Sequence, residues 1–358
     1  MYSVGEPMEL QENIPLAPLT TFRIGGPARF FVHAKSIADV ESAIQLAQTR
    51  DLPLFVLGGG SNLVVADEGW PGLVLKIGIA AIDQHPSDRN GKAIFEVGAG
   101  EVWDRFVSQA VAVRCAGLEC LSGIPGSVGG TPVQNVGAYG QEVSETIESV
   151  EVFDLKDKQV RELCNEACGF LYRSSIFNTS ERGRFIILRV TYALTPGGEP
   201  YLQYNDLKRH FEGHESPPNL SEVREAVRDI RARKGMLIMD GDPDCRSAGS
   251  FFKNPVLTQE QHTALQKRAA EKKLTIPSYP ALEKNHKISA AWLVEHSGFS
   301  RGYELGRAGI SSKHALAIVN LGGATAAEVI ALKEQIQQRV EDIWGVRLET
   351  EPVFVGLS

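Results

Sequence analysis

Apolar positions at helical spacing alternate with short β-prone runs through the front of the chain, then give way to a helix-richer tail. Ile37, Val40, Ile44 and Ala47 recur at three- and four-residue steps behind Ser36, with Asp39 three positions after it. This is a capped helix over about Ile37–Thr49. The run LPLFVLGGGSNLVVAD at 52–67 then carries an apolar strand into Gly58, Gly59 and Gly60, and leaves through Ser61, Asn62 and Leu63 into a second β-prone stretch. Leu73–Ile77 and Ala93–Val97 read as strands, and Trp103, Phe106, Val107, Ala110 and Val111 as one face of a helix. Val150–Leu155 and Phe185–Leu194 supply later strands before TPGGEP at 195–200, a natural boundary.

Beyond the boundary, Val223, Val227 and Ile230 form the apolar face of a helix within SEVREAVRDIRARK. The basic residues toward its end suit a helix C-terminus and read as a solvated face. Thr325 and Glu328 form a capping box for a last helix, whose stripe of Val329, Leu332, Ile336, Val340 and Ile343 is core; LETEPVFVG closes the chain as a strand. The pattern predicts an α+β protein whose first 195 or so residues alternate helix and strand, followed by a C-terminal α+β domain of about 130 residues.

Composition narrows the function classes. A chain of 358 residues with 43% hydrophobic and 23% charged residues is ordinary for a globular protein of two or three domains. Neither an apolar run of ~20 residues nor a basic and then apolar start is seen, so a cytoplasmic protein without a membrane span is expected. The net charge of −7 and the lack of a basic block argue against a nucleic-acid partner. Five cysteines (Cys115, Cys120, Cys164, Cys168 and Cys245) lack C-x-x-C spacing, so free or buried thiols are expected. Eight histidines without H-x-x-H or H-E-x-x-H spacing give no metal site. A monomer or weak oligomer is expected.

The candidate chemistry lies in glycine. SGIPGSVGGTPVQNVGAYG at 122–140 holds six glycines with almost no charge. Glycine permits positive φ and close backbone approach, and Ser122, Ser127, Thr131, Gln134 and Asn135 add short polar groups between Ile124, Val128 and Val133. Backbone N–H groups in such a cradle suit phosphate oxygens. Neither G-x-x-x-x-G-K-[ST] nor a helix-opening G-x-G-x-x-G occurs, which excludes the common P-loop and Rossmann readings. What remains is two glycine loops about 60 residues apart, 58–62 and 122–130, able to clasp a diphosphate from both sides. Their binding residues are Gly58, Gly59, Gly60, Ser61, Asn62 and Leu63 in the first, and Ser122, Gly123, Ile124, Pro125, Gly126, Ser127, Gly129 and Gly130 in the second, followed by Asn135, Gly137 and Gly140.

This pair resembles the flavin-binding domain of the vanillyl-alcohol oxidase (PCMH) type, which implies 1–80 and 81–219 as two FAD-binding subdomains and 220–358 as a C-terminal α+β substrate-binding domain. The ordered set GGGSN, GIPGSVGG, QNVGAYG, YRSSIF at 172–177, GSFFKNP at 249–255 and terminal LETEP resembles, over nearly the whole chain, the UDP-N-acetylenolpyruvoylglucosamine reductase family of peptidoglycan synthesis, in its longer form. The resemblance implies a noncovalent FAD that takes hydride from NADPH and passes it from N5 to C3 of UDP-N-acetylglucosamine enolpyruvate. It also implies site roles. Arg173, in YRSSIF, would stabilise the enolate; Ser250, in GSFFKNP, would give a proton to C2; Glu351, in the terminal strand, would hydrogen-bond the enolate. The family commonly reads P-E-V-R at that strand where this chain reads Thr350, Glu351, Pro352 and Val353, so Glu349 is a rival, with one of the two facing the site. Tyr204 would close over substrate, while Lys234, Asn254 and Tyr279, with Arg301 and His314 as further candidates, would contact the UDP portion. Two other classes compete: an FAD-dependent alcohol oxidase or dehydrogenase, which would lack GSFFKNP and YRSSIF, and a silent nucleotide sensor, which would lack Ser250 or Arg173; this chain has both motifs and both residues.

Overall fold

The computed structural model describes residues 8–87, 90–281 and 284–357. The chain forms two compact units that are interleaved in sequence. One holds the chain up to Ile14, Ala28–Gly60 and Trp70–Arg233; the other holds Pro15–Pro27, Ser61–Gly69 and the chain from Lys234.

In the first unit, strand Pro27–Ala34 lies parallel to Trp70–Ile77, which pairs in parallel with Leu54–Leu57 on its other side. The helix Ile37–Thr49 makes the crossover and buries Val40, Ala43, Ile44 and Ala47; the Ser36 hydroxyl accepts from the Asp39 N–H while Asp39 caps the Ser36 N–H. A second, antiparallel sheet has the order Gln159–Cys164, Ile147–Asp154, Phe185–Pro196, Ala93–Gly98, Ile82–His85. The helix Trp103–Ala112 packs its Trp103 and Phe106 rings against Tyr192 of that sheet, with ring centroids 6.0 and 4.9 Å apart. The Tyr192 hydroxyl lies 2.9 Å from Thr131 Oγ1, so the aromatic core reaches into the second glycine segment.

In the second unit the helix Ala326–Trp344 buries Val329, Leu332, Ile336, Val340 and Trp344, each worth about 1.5–3 kcal/mol when fully removed from water. Thr325 and Glu328 form its capping box, and Asp67 accepts from the Ala326 N–H at 2.8 Å. Phe22, Ile24 and Val64 belong to this same core, beside Phe251, Phe252 and Leu293. Strand Leu63–Val65 pairs in parallel with Val353–Val355. All five cysteines are free, and only Cys164 is exposed. Among the described residues, no helix is long and apolar enough to cross a membrane.

Candidate active site

The two glycine loops touch within the first unit. A Cβ on Gly59 would lie 2.3 Å from Gly126 Cα and 2.5 Å from the Ser127 nitrogen, and one on Gly58 would lie 3.1 Å from Ser127 Oγ. The contact between the backbones therefore requires glycine at 59, and Gly60 (φ +68°) and Gly126 (φ +130°) turn the chain on either side of it. Ser127 Oγ is buried and has no hydrogen-bond partner among the described residues. A buried hydroxyl with a spare donor is costly unless a ligand takes it, and beside two glycine backbones it fits a flavin diphosphate. Beneath the first loop, Lys76 reaches from its strand to the Gly58 carbonyl, and burial lowers its amine's pKa.

Several predicted cradle residues spend their polar groups on the protein. Ser122 Oγ donates to the Glu119 carbonyl at 2.6 Å, and the Gly123 N–H donates to Asp104 Oδ1 at 2.6 Å. The N–H groups of Gly129 and Gly130 donate to the carbonyls of Ala99 and Ser127. Asn135 is buried with φ +45°; its amide donates to Glu142 and the Leu171 carbonyl and accepts from the Ser144 N–H. These groups shape the loops. Pro125 has no N–H to give, and Ile124 packs on the hydrophobic core.

The basic residues of the helix Leu220–Arg233 correct the expectation of a solvated face. Arg224 donates twice to Asp104, at 2.6 and 2.9 Å, and Arg228 once, at 2.6 Å. Arg231 is buried and donates to the Gly123 carbonyl at 3.1 Å. Burial alone would raise the Asp104 pKa. The Arg224 hydrogen bonds, the Gly123 N–H and the two guanidinium charges outweigh it and hold the carboxyl below its ordinary value. Asp104 and Arg231 thus clamp both backbone groups of Gly123. Their helical spacing carried no sign of this, because the partners lie more than 100 positions apart in sequence.

Arg173 adopts the left-handed conformation (φ +54°), an uncommon state for a non-glycine residue and a frequent companion of function. Its guanidinium donates to the Gly137 carbonyl at 2.8 Å. A Cβ on Gly137 would fall 2.8 Å from Glu142 Cγ and 3.2 Å from Arg173 Nη1. Ser175 of the same motif is structural: it caps the turn Ile176–Asn178, and its hydroxyl donates to the Val133 carbonyl at 2.6 Å. Tyr204 stands edge-on to Tyr139, with ring centroids 5.3 Å apart. Gly140 (φ +90°) leaves room for the Tyr201 ring, which a Cβ would meet at 2.6 Å. Cys120 is a packed thiol whose sulfur donates to the Tyr201 carbonyl at 3.3 Å; burial first, then the Glu119 and Glu145 charges, push its pKa up.

Ser250 and Glu351 belong to the second unit. Ser250 follows Gly249, which has φ +77°. The Ser250 hydroxyl lies 3.3 Å from His314 Nε2. The Phe251 N–H donates to the Leu316 carbonyl at 2.7 Å, and the Glu351 N–H donates to the Phe251 carbonyl at 3.0 Å. Asn62 Nδ2 donates to the Glu351 carbonyl at 3.1 Å. Glu349 and Glu351 are two residues apart, so strand alternation does not send them to opposite faces. Environment separates them instead. Glu349 is exposed and reaches Lys253 at 3.4 Å, whereas Glu351 is half-buried.

The UDP candidates are more dispersed. Asn254 Oδ1 accepts from the Ala290 N–H at 2.9 Å, at the start of the helix Ala290–Glu295. Tyr279 is exposed beside a cavity of about 390 Å³ that Lys284 and His286 also line. Arg301 is exposed and lies 3.7 Å from Glu295. Lys234 is half-buried just after the helix Leu220–Arg233. Of the five, His314 lies beside a proposed catalytic group, Ser250.

Comparison with known proteins places this architecture. A family model described as an FAD binding domain matches residues 28–163, so the class is an FAD-dependent oxidoreductase of α+β fold. A second, the C-terminal domain of UDP-N-acetylenolpyruvoylglucosamine reductase, matches residues 242–355. The UDP-N-acetylenolpyruvoylglucosamine reductase of Thermobifida fusca is 42% identical over 354 residues, covering 97% of this chain and 98% of that protein. The one from Streptomyces coelicolor is 42% identical over 360 residues, covering 99% and 92%. The crystal structure of the reductase from Thermus caldophilus aligns over 97% of this chain and 99% of its own, with a TM-score of 0.64 and 27% identity. The chain belongs to the UDP-N-acetylenolpyruvoylglucosamine reductase family. The family and the FAD-binding domain stand as the sequence implied.

Proposed function

We infer that the protein reduces UDP-N-acetylglucosamine enolpyruvate to UDP-N-acetylmuramate for peptidoglycan synthesis, with NADPH as electron source. The observation that carries the reading is that the flavin domain and the reductase's C-terminal domain lie on one chain, in the family's order. FAD, when bound, supplies a hydride carrier between NADPH and C3 of the enolpyruvyl group.

The protein's residues supply the rest. Addition at C3 leaves negative charge on C2 and its carboxylate, which calls for a cation and a proton donor. The Arg173 guanidinium offers two parallel N–H donors to a carboxylate. Ser250 gives its hydroxyl proton to C2, so that one hydride and one proton are added, and the serine oxygen is reprotonated before the next turnover. Glu351, in its protonated form, donates a hydrogen bond to the enolate. Tyr204, Lys234, Asn254 and Tyr279 bind the UDP portion, and the two glycine loops, with the Ser127 hydroxyl between them, hold the flavin diphosphate.

Ser250→Ala separates these roles. Flavin reduction by NADPH stays within about twofold of wild type, while reoxidation by the enolpyruvyl sugar slows by at least about 100-fold, the usual scale of a lost general acid. Anaerobic rapid mixing reads both half-reactions. Equal losses in the two would remove Ser250 from its role.

A further inference from the structure

We propose that His314 is a positioning residue for Ser250, whose imidazolium donates to the serine oxygen and restores its proton as the serine gives one up. The inference rests on Ser250 being the proton donor. An isolated serine is a very weak acid, so a neighbour must stabilise the developing alkoxide. His314 Nε2, 3.3 Å from Ser250 Oγ, is placed to do so. With Nε2–H donating to Oγ, the hydroxyl's own hydrogen is directed away from the histidine.

Both partners are fixed by backbone contacts of the second unit. The buried Ser311 hydroxyl accepts from the N–H groups of Lys313 and His314 at 3.0 and 3.2 Å, and the Ala317 N–H closes the turn on the His314 carbonyl at 3.1 Å. Ser312 next to it donates through both its N–H and its hydroxyl to buried Asp244, at 2.8 and 2.7 Å. On the serine side, the Phe251 N–H is tied to the Leu316 carbonyl of the same turn at 2.7 Å, and the Gly249 N–H to Ser247 Oγ at 3.2 Å. A histidine held this firmly loses little entropy in making the contact. The charged groups around the turn are Lys313, which pairs with Asp242 and lies 3.9 Å from Asp244, and Glu351, whose backbone is bonded to Phe251.

The step balances. The Ser250 O–H bond breaks as the C2–H bond forms, an Nε2–H bond of imidazolium breaks as the serine O–H re-forms, and neutral His314 takes its proton from solvent. Hydride arrives from the flavin chemistry of the family.

The test is anaerobic reoxidation of NADPH-reduced enzyme by the enolpyruvyl sugar, for wild type, H314Q, H314A and S250A, from about pH 5.5 to 9. Wild-type reoxidation is expected to fall as pH rises through one titration. H314Q and H314A should both lose that limb and slow roughly 10–100-fold near neutral pH, with NADPH reduction unchanged and half-saturation by sugar moved less than threefold, as about expected for a group acting on the chemical step. If S250A is crippled but H314Q keeps the wild-type rate and limb, the inference fails and the proposed function stands. Changes in half-saturation alone would make His314 a substrate contact and overturn it. If S250A reoxidises like wild type, the reading beneath it fails. The wild-type profile needs no substitution: a flat one overturns the relay even where both histidine variants misfold.

Discussion

Gly59 has no alternative residue because its missing side chain is where Gly126 lies; an added methyl would sit 2.3 Å from a backbone carbon. Gly59→Ala must therefore push the two loops apart. We expect purified G59A to lose most of its flavin absorbance, with thermal stability lowered by roughly 1–3 kcal/mol, the usual cost of overpacking. Full flavin retention with wild-type stability would show that the contact is not needed. The sequence marked these glycines as places where backbone could approach a ligand, not as the point where the two loops meet, and it singled out Arg173 and Ser250 as candidates only once their motifs were set in order. What each polar atom does was not legible. Among the described residues Ser127 keeps an unpartnered hydroxyl while Ser122 spends its own on the Glu119 carbonyl, a difference set by loop geometry.

At the scale of elements, the apolar periods located the helices Ile37–Thr49 and Ala326–Trp344 with their capping boxes, since period and cap are local signals. They misjudged the helix Leu220–Arg233, in which Arg224 and Arg228 bond Asp104 and Arg231 bonds Gly123. Periodicity reports the apolar stripe and is blind to a partner from another element. The Asp104 carboxyl is held below its unfolded value, so it contributes stability above the ordinary carboxylate range and loses it as pH falls through the folded pKa. Asp104→Asn should therefore cost about 1–3 kcal/mol at neutral pH, and the gap from wild type should close below about pH 4. Urea unfolding at a series of pH values measures it. A gap that persists unchanged to pH 3 would detach the effect from the carboxylate's charge.

For the whole molecule, the sequence suggested consecutive segments, and no local signal shows that Pro15–Pro27 and Ser61–Gly69 join the unit that begins at Lys234. The residues that do so, Phe22, Ile24 and Val64, are each no more than 2% exposed. Their loss removes about 1.5–3 kcal/mol apiece, comparable in sum with a domain's whole stability of roughly 5–15 kcal/mol. A fragment of residues 234–358 is thus expected to melt without a cooperative transition in circular dichroism; a sharp transition would show the unit complete without them. The interleaving also means that the first glycine loop runs directly from one unit at Gly60 into the other at Ser61. The most direct test of the proposed reaction is anaerobic stopped-flow absorbance of the purified flavoprotein, mixed first with NADPH and then with UDP-N-acetylglucosamine enolpyruvate. Rapid bleaching by NADPH, followed by rapid recovery with that sugar, is expected. Recovery with oxygen but not with the sugar would contradict it.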